Sequence, residues 1–329
     1  MPTVAVTTEP LFEEDGPHVG LLNGGGFDIR FPPQRVVATE ADTIEAVRGS
    51  AAVVAGGEPY SEHVLSQLPD LQVISRMGVG YDCVDVEAAT RRGIVLTITP
   101  NGNHEAVAEH ALALLMALTR SIVTNNREVR EGKWLKPLQV PLRSKTLGIV
   151  GLGRIGRSFA VRAASFRLEL LAFDPFVEAD DARRLGVELV DFETLLSRSD
   201  FVSLHCPLTP ETTGLINARA LSLMKRGGYL INTARGGLVN EDDLVAALKS
   251  GQLAAAGLDA LVEEPPPKDH PLFQLENAVI SPHVAAMDPQ AIEDMAIEAT
   301  QNILDLRQGK WPVESIINPA VRERWSWTT

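Results

Sequence analysis

Residues 146–156 have the sequence T-L-G-I-V-G-L-G-R-I-G, and this stretch decides the fold prediction. Its first five residues are apolar enough for a buried strand, and residues 154–166 have the spacing typical of an amphipathic helix. The glycines between them therefore lie on a turn from strand to helix. Gly151 permits the tight turn, Gly153 lets the backbone approach a pyrophosphate, and Gly156 lets helix and strand pack closely. Because the free N–H groups of a helix N-terminus attract anions, the stretch predicts a dinucleotide-binding turn.

An acidic residue follows this turn at the distance that such a site requires. The apolar run 168–173 ends at Asp174, about 20 residues beyond the glycines. A carboxylate there can accept a hydrogen bond from the 2′-hydroxyl of an adenosine ribose and repels a 2′-phosphate. We therefore predict NAD rather than NADP as the cofactor. Two points stay open: Asp174 could instead cap the loop before Pro175, and the nearby Arg183 and Arg184 would weaken the preference.

Length and charge narrow the classes of protein. A chain of 329 residues suits two domains of about 150 residues each. Lys and Arg total 30 against 43 Asp and Glu, and the net charge of −13 argues against a nucleic-acid or anionic-membrane surface. An anionic substrate must then be bound by a local positive group.

Cysteine use and hydropathy indicate an ordinary cytoplasmic protein. Cys83 and Cys206 are far apart in sequence and form no disulfide framework, and no signal peptide is recognisable. His205 precedes Cys206 without further metal-ligand residues nearby, so no metal site is predicted. The most apolar window, residues 106–118, is short and contains two ionisable residues, which favours a core helix over a membrane span.

Predicted strands and helices alternate on both sides of the glycine turn, which indicates two α/β units with parallel sheets. The predicted strands are residues 4–8, 51–55, 71–75, 201–205, 228–232, 255–258 and 278–281. Further helices are predicted at residues 191–197, 218–224 and 241–249. The segment T-P-N-G-N-H at 99–104 interrupts the first unit, and an amphipathic helix at 288–306 is expected to return to it.

Seven motifs occur in order along nearly the whole chain. They are R-M-G-V-G-Y-D, T-P-N-G-N-H-E-A-V-A-E-H, G-L-G-R-I-G, H-C-P-L-T-P-E-T, N-T-A-R-G-G, D-A-L-V-E-E-P and S-P-H. This order resembles that of the D-isomer-specific 2-hydroxyacid dehydrogenases, in particular the group of phosphoglycerate dehydrogenases and glyoxylate/hydroxypyruvate reductases.

The resemblance implies an α/β fold with two Rossmann-like, doubly wound parallel-sheet domains. Residues 1–103 and 286–329 would form a discontinuous, flavodoxin-like substrate domain, and residues 104–285 an NAD-binding domain inserted between its parts. The resemblance also implies an active site in the cleft, a small 2-hydroxy or 2-keto acid as substrate, and a homodimer formed through the NAD-binding domains. Trp134 resembles a position near that subunit interface, although simple packing would account for it equally well.

The chemistry of such a site needs three groups. Oxidation of a 2-hydroxy acid needs a base for the hydroxyl proton while a hydride leaves C2, and histidine can act as this base and as the acid of the reverse reaction. The resemblance assigns this role to His283, paired with Glu264. It also implies that Arg235 binds the substrate carboxylate, because a guanidinium can donate two parallel hydrogen bonds to a carboxylate. Each residue alone could be structural, but their order favours a catalytic site.

The resemblance also implies the residues that contact the cofactor and the substrate. Beyond Asp174 and the glycines Gly151, Gly153 and Gly156, the cofactor set is Arg154, Ile155, Cys206, Pro207, Thr212, Thr233, Ala234 and Asp259. The substrate set is Arg76 with the backbone N–H groups of Val79 and Gly80. Of the other histidines, His18 and His270 are expected in polar, surface-like contexts, and His110 is expected to be structural.

Two alternatives stay open at this point. The substrate is either 3-phosphoglycerate or a small acid of the glyoxylate and hydroxypyruvate kind, because Arg76 offers a charge to a phosphate while residues 55–60 contain no second basic residue. From a different class, the chain could be an NAD(H)-sensing binding protein with little turnover, since the family includes a transcriptional corepressor with the dehydrogenase fold.

Overall fold

A computed structural model describes residues 1–12, 16–33 and 37–327. The chain divides into two compact units, unit 1 (Met1–Asn103 and Asp288–Thr329) and unit 2 (His104–Met287). The sequence-based division places the second junction two residues earlier, between residues 285 and 286. The turn after His283 still belongs to unit 2, where the amide of Ala285 donates to the Asp259 carboxylate.

Unit 1 contains a five-stranded sheet. Its strands are β1 (Thr3–Val6), β2 (Asp28–Arg30), β3 (Ala52–Ala55), β4 (Val73–Arg76) and β5 (Val95–Thr97). The helices between them are α1 (Pro17–Gly24), α2 (Glu40–Val47), α3 (Glu62–Ser66) and α4 (Val86–Arg91). A short 3₁₀ helix lies at Glu9–Leu11.

All pairings in this sheet are parallel, in the order β2-β1-β3-β4-β5. Strands β3, β4 and β5 are buried along their whole length, because helices cover both faces of a parallel sheet. This explains why β1, β3 and β4 were readable as apolar runs. The order reverses direction at β1, which lies between β2 and β3.

Unit 2 contains a seven-stranded sheet. Its strands are β6 (Thr146–Val150), β7 (Glu169–Phe173), β8 (Val187–Leu189), β9 (Phe201–Leu204), β10 (Gly228–Asn232), β11 (Leu253–Leu258) and β12 (Ala278–Ile280). Its helices are α5 (His104–Thr119), α6 (Ile122–Arg130), α7 (Arg154–Ala164), α8 (Ala179–Arg184), α9 (Phe192–Arg198), α10 (Ala218–Leu223) and α11 (Glu241–Ser250). Short 3₁₀ helices lie at Gly236–Leu238 and Pro271–Gln274.

This second sheet is also wholly parallel, in the order β12-β11-β10-β9-β6-β7-β8. The direction of the strand order reverses between β6 and β9, and ligands of such folds bind outside the carboxyl ends of the strands at this point. Helix α5 packs on α7 and β11 with its alanine and leucine face buried. Among the described helices, none alone is long and apolar enough to span a membrane; α5 and α6 pass that test only together, bent by 55°.

The last long helix, α12 (Pro289–Arg307), belongs to unit 1 and is followed by a 3₁₀ helix at Pro319–Arg324. The Asp288 side chain caps α12 by accepting from the Ala291 amide at 2.8 Å, and a proline follows at the start of the helix, as capping rules favour. The Ser75 hydroxyl donates to the Ala299 carbonyl at 2.8 Å, which ties α12 to β4. Helix α12 therefore packs in unit 1, together with the sheet that residues 1–103 form.

Candidate active site

The glycine turn joins β6 to α7 and is packed against β9. Gly151 has a positive φ of 94°, and a Cβ added there would lie 2.7–2.8 Å from backbone atoms of His205 and Cys206. A Cβ added at Gly156 would lie 2.1 Å from the Gly151 carbonyl oxygen. Both glycines are therefore needed by the fold, because neighbouring backbone fills the space a side chain would take.

Gly153 differs from these two glycines. It caps the N-terminus of α7 in an extended conformation, and an added Cβ would meet nothing within 4 Å. Open space therefore lies beside the N–H groups that begin an eleven-residue helix, at the point where the strand order reverses. Space and donors at this place suit an anionic group such as a pyrophosphate.

Asp174 follows β7 and stabilises the glycine turn by a hydrogen bond. Its Oδ2 accepts the Leu152 amide at 2.7 Å, and its Oδ1 accepts the Phe176 amide at 2.9 Å. The carboxylate therefore caps the loop, as one of the two interpretations of the sequence holds. A carboxylate has about four lone-pair sites, so the two backbone bonds leave capacity for a ribose hydroxyl.

Other residues of the predicted cofactor set lie after β9 and β10. The Thr212 hydroxyl donates to the Pro207 carbonyl at 2.7 Å and orders the loop after β9. Burial raises the pKa of the Cys206 thiol to about 11, so this group stays a neutral thiol. Thr233 is 7% exposed, and its hydroxyl has no hydrogen-bond partner in the described part of the chain. A buried hydroxyl of this kind is a place where a ligand can supply the missing partner.

Arg235 follows β10 on a turn that Asn232 shapes. The Asn232 amide donates to the Arg235 carbonyl at 2.8 Å, and its Oδ1 accepts the Ala234 amide at 3.0 Å. Asn232 is 1% exposed, so these bonds are shielded from water. The next residue, Gly236, packs on the backbone of Leu261, where an added Cβ would be 2.0 Å from the carbonyl carbon. Arg235 is thereby fixed against the segment that leads to Glu264.

Glu264 and His283 form a direct pair. His283 Nδ1 lies 2.7 Å from Glu264 Oε2, and Glu264 Oε1 accepts the Leu261 amide at 2.9 Å. Burial opposes ionisation of Glu264, but the bonds from His283 and Leu261 and the charge of Arg235 together hold its pKa below the usual value. Both side chains stay partly exposed, at 45% for His283 and 37% for Glu264. The pair borders a cavity of about 580 Å³.

Asp259, at the end of β11, holds the turn that carries His283. It is 1% exposed, and its carboxylate accepts the Ser281 hydroxyl at 2.5 Å and the amides of Val284 and Ala285 at 3.0 and 2.8 Å. His110 Nε2 lies 3.4 Å from the same carboxylate. Burial raises the pKa of Asp259, but these hydrogen bonds outweigh it and bring the pKa below the ordinary value.

The predicted substrate residues of unit 1 follow β4. Arg76 is 8% exposed, and its Nε donates to the Gly80 carbonyl at 2.9 Å. Gly78, with a φ of 135°, donates to the Thr99 hydroxyl at 2.7 Å. In the described residues, the amides of Val79 and Gly80 donate to no protein acceptor. This turn therefore offers two backbone donors to an anion.

Similarity to known proteins identifies the family. Residues 112–285 match the model of the NAD-binding domain of D-isomer specific 2-hydroxyacid dehydrogenases. The chain is 42% identical over 315 residues to a D-3-phosphoglycerate dehydrogenase of Archaeoglobus fulgidus, covering 95% of this chain and 59% of that protein. The chain belongs to the D-isomer specific 2-hydroxyacid dehydrogenase family. It spans less than two thirds of that relative.

Further similar proteins match along more of their length. A glyoxylate reductase of Korarchaeum cryptofilum is 41% identical over 300 residues, covering 89% of both proteins. A Thermus thermophilus protein of known crystal structure is 36% identical with a TM-score of 0.84, covering 96% of this chain and 100% of that one. The predicted family and the two parallel-sheet α/β domains are thus confirmed.

The sequence did not single out every residue that shapes the site. Asn232 was not predicted, although a polar residue at the end of an apolar strand is a usable signal. His270 is 8% exposed rather than surface-like, and its Nε2 lies 3.2 Å from Glu241, which in turn accepts the Val262 amide. His18 is likewise buried, at 1% exposure. Only tertiary packing covers these two histidines, so the local sequence could not show their burial.

Proposed function

We propose that this chain is an NAD-dependent oxidoreductase that interconverts a D-2-hydroxy acid and its 2-ketoacid by hydride transfer. The observation that carries the proposal is the 2.7 Å pairing of His283 with Glu264, on the same unit as the glycine turn. The similarity to a phosphoglycerate dehydrogenase and a glyoxylate reductase supports it. The substrate is 3-phosphoglycerate or an acid of the glyoxylate and hydroxypyruvate kind.

Unit 2 has the features that a dinucleotide needs. The N–H groups at the start of α7, beside the open space at Gly153, would bind the pyrophosphate, and Asp174 would bind the adenosine ribose. The remaining proposed contacts are Gly151, Arg154, Ile155, Gly156, Cys206, Pro207, Thr212, Thr233, Ala234 and Asp259. When bound, NAD supplies the hydride acceptor for oxidation and the hydride donor for reduction.

His283 exchanges the proton. Its Nδ1 faces Glu264, so Nε2 is the nitrogen that can reach a substrate oxygen. In oxidation Nε2 takes the hydroxyl proton, and in reduction it returns a proton to the same oxygen. The Glu264 carboxylate, whose pKa is lowered, contacts Nδ1 and fixes the orientation of the ring.

Arg235 binds and orients the acid. A guanidinium presents several N–H donors in one plane and can engage the carboxylate and the C2 oxygen together. The bonds from Asn232 hold the backbone of Arg235 in place before substrate arrives. From unit 1, we propose that Arg76 and the amides of Val79 and Gly80 bind the substrate as well.

The proposed homodimer has a matching surface on unit 2. Helix α6 has no buried residue in the described structure, and exposed apolar side chains lie on it and on the segment after it. They are Ile122, Val123, Val129, Trp134, Leu135 and Leu138. Several exposed apolar side chains along one short stretch of chain favour an interface there. Light scattering after gel filtration checks the dimer against the 35.6 kDa chain mass.

Steady-state assays test the proposed reaction. NADH and NADPH oxidation would be followed with glyoxylate, hydroxypyruvate, 3-phosphohydroxypyruvate and pyruvate, and NAD reduction with the D and L forms of lactate and glycerate. We expect turnover of 2-ketoacids with NADH and oxidation of D forms only. Tight NADH binding without turnover of any acid would instead indicate an NAD(H)-sensing binding protein.

A further inference from the structure

One face of α5 carries a histidine that the proposed mechanism does not use. His110, Leu114 and Leu118 follow one another at intervals of four residues, so they lie on the same face of the helix. This face packs on β11, because a Cβ added at Gly257 would lie 3.1 Å from Leu114 and 3.2 Å from Leu118. His110 lies one helical turn away, at the carboxyl end of β11, where its Nε2 is 3.4 Å from Asp259 Oδ1.

His110 is linked to this acid through a serine. The pKa of Asp259 lies below its ordinary value, so the carboxylate is ionised at neutral pH and can only accept hydrogen bonds. The Ser281 hydroxyl therefore donates its single hydrogen to Asp259 Oδ1, at 2.5 Å. His110 Nε2 lies 2.8 Å from the same hydroxyl oxygen, which is left as an acceptor. Nε2 of His110 must then carry a hydrogen and donate it to Ser281 Oγ.

The carboxylate at the end of this chain of hydrogen bonds holds the turn that carries His283. Asp259 Oδ1 accepts the Val284 amide at 3.0 Å as well as the Ser281 hydroxyl, and the Asp259 carbonyl accepts the His283 amide at 2.9 Å. Without His110, the Ser281 hydroxyl would lose its donor and could rotate away from Asp259. The carboxylate would then be held less firmly, and so would the turn that it binds.

The nicotinamide end of the cofactor belongs at these strand ends. The Asp259 amide donates to the Asn232 carbonyl at 2.8 Å, so the end of β10 lies beside the end of β11. Thr233 follows β10 and is buried, with a hydroxyl that has no partner within the described ranges of the chain. Hydride transfer needs the reacting carbons about 3–3.5 Å apart. The nicotinamide ring must therefore lie next to the acid whose oxygen bonds His283.

We propose that His110 is a positioning residue for the nicotinamide ring, because through Ser281 it fixes the Asp259 carboxylate and the turn against which the ring binds. The inference rests on the proposed function. The adenosine and pyrophosphate groups would bind at Asp174 and the glycine turn, to which His110 makes no hydrogen bond in the described structure. The effect of His110 is therefore confined to the ring end of the cofactor.

ADP-ribose separates the two ends of the cofactor, because it keeps the adenosine and pyrophosphate and lacks the nicotinamide ring. In His110→Leu we expect the Kd for NADH to rise by about fivefold to tenfold, the effect of one lost hydrogen bond, while the Kd for ADP-ribose stays unchanged. His110→Gln, whose amide nitrogen can still donate to Ser281, should restore the wild-type affinity for NADH. Ser281→Ala removes the link itself and should reproduce the pattern of His110→Leu.

Glu109→Gln is the matched control on the same helix. The Glu109 side chain is 67% exposed and contacts Arg162 of α7, so this variant should bind both ligands like wild type. Calorimetry with NADH and ADP-ribose gives the two affinities, and thermal melts check that each variant is folded. If His110→Leu does not fold, Ser281→Ala supplies the same comparison.

The outcomes separate a positioning role from a structural one. Equal weakening of NADH and ADP-ribose in His110→Leu would mean that His110 only supports the fold of unit 2, and unchanged binding of both would mean that it has no role; either result overturns the inference. A loss of affinity for NADH alone, in a protein that reduces no 2-ketoacid, would refute the proposed function and leave the role of His110 intact. A wild type that binds neither ligand would overturn both.

Discussion

The amide of His283 donates a 2.9 Å hydrogen bond to the backbone carbonyl of Asp259, whose carboxylate also accepts the amides of the two residues after His283. This relationship holds His283 at a φ of 52°, in the left-handed region that residues other than glycine seldom adopt. Asp259 therefore fixes the direction in which the imidazole leaves the turn. The strained turn persists because a buried acid binds it on both sides.

Asp259→Asn should destabilise unit 2, because the amide group cannot accept at both positions where the carboxylate does. We expect a loss of about 2–4 kcal/mol in the free energy of unfolding at pH 7. The folded-state pKa of Asp259 is lowered, so its contribution is present above the unfolded value near 3.8 and disappears as the pH falls through the folded value. Urea unfolding between pH 7 and pH 2.5 measures both effects. An identical pH dependence in variant and wild type would show that the carboxylate is not the stabilising group.

Gly153→Ala and Gly156→Ala should separate cofactor binding from folding. The added methyl at Gly153 stands in open space, so the melting temperature falls at most slightly, through the poorer N-cap, while the Kd for NADH rises by at least about tenfold. The methyl at Gly156 would collide with the Gly151 carbonyl, so that variant loses stability. Thermal melts and fluorescence titration with NADH distinguish the two. Unchanged NADH affinity in Gly153→Ala would place the pyrophosphate elsewhere.

Asp174→Asn tests the cofactor preference without removing both of the hydrogen bonds that Asp174 accepts from the loop. Asparagine keeps one acceptor for the Leu152 or Phe176 amide but no longer repels a 2′-phosphate. We expect the NADH over NADPH preference in kcat/KM to fall by about tenfold, which corresponds to about 1.4 kcal/mol. Asp70→Asn, at an exposed site in unit 1, is the control and keeps the preference. If Asp174→Asn and wild type had the same NADH over NADPH preference, Asp174 would only stabilise the loop.

Arg235→Lys keeps the positive charge and removes the planar set of guanidinium N–H donors. We expect kcat/KM for the ketoacid to fall by about 10²–10³-fold, because an ammonium cannot bind the carboxylate and the C2 oxygen in one plane. Arg219→Lys, on the surface beside Glu193, should change nothing. Steady-state kinetics with both variants decides, and an Arg235→Lys enzyme as active as the control would mean that Arg235 contributes only positive charge.

The sequence was informative where local chemistry alone determines structure. The strand β6 was predicted with the bounds that the structure shows, because a run of mostly apolar and β-branched residues directly precedes the glycine turn, and all five residues are buried. Strands β2, β5 and β8, of three residues each, were not predicted, although the equally short β12 was. The order of the seven motifs indicated that His283, Glu264 and Arg235 belong to one catalytic site.

What the sequence could not show are relationships between distant segments. The buried acid Glu58 looks like an ordinary loop residue in A-G-G-E-P-Y, and only the return of β1 beside β3 brings Thr7 to it. Asp259 was expected to contact the cofactor. The hydrogen bond from the His283 amide to its backbone carbonyl depends on how β11 and β12 pair. Such contacts follow from tertiary packing and have no local signature.

Proton transfer by His283 and orientation of its ring by Glu264 can be separated by two substitutions. His283→Ala and Glu264→Gln would be compared with wild type in NADH oxidation with the best ketoacid, alongside NADH affinity. We predict that His283→Ala loses kcat by about 10²–10⁴-fold and Glu264→Gln by a smaller factor, with the Kd for NADH unchanged in both. A His283→Ala protein that binds NADH and turns over at the wild-type rate would show that His283 does not transfer the proton.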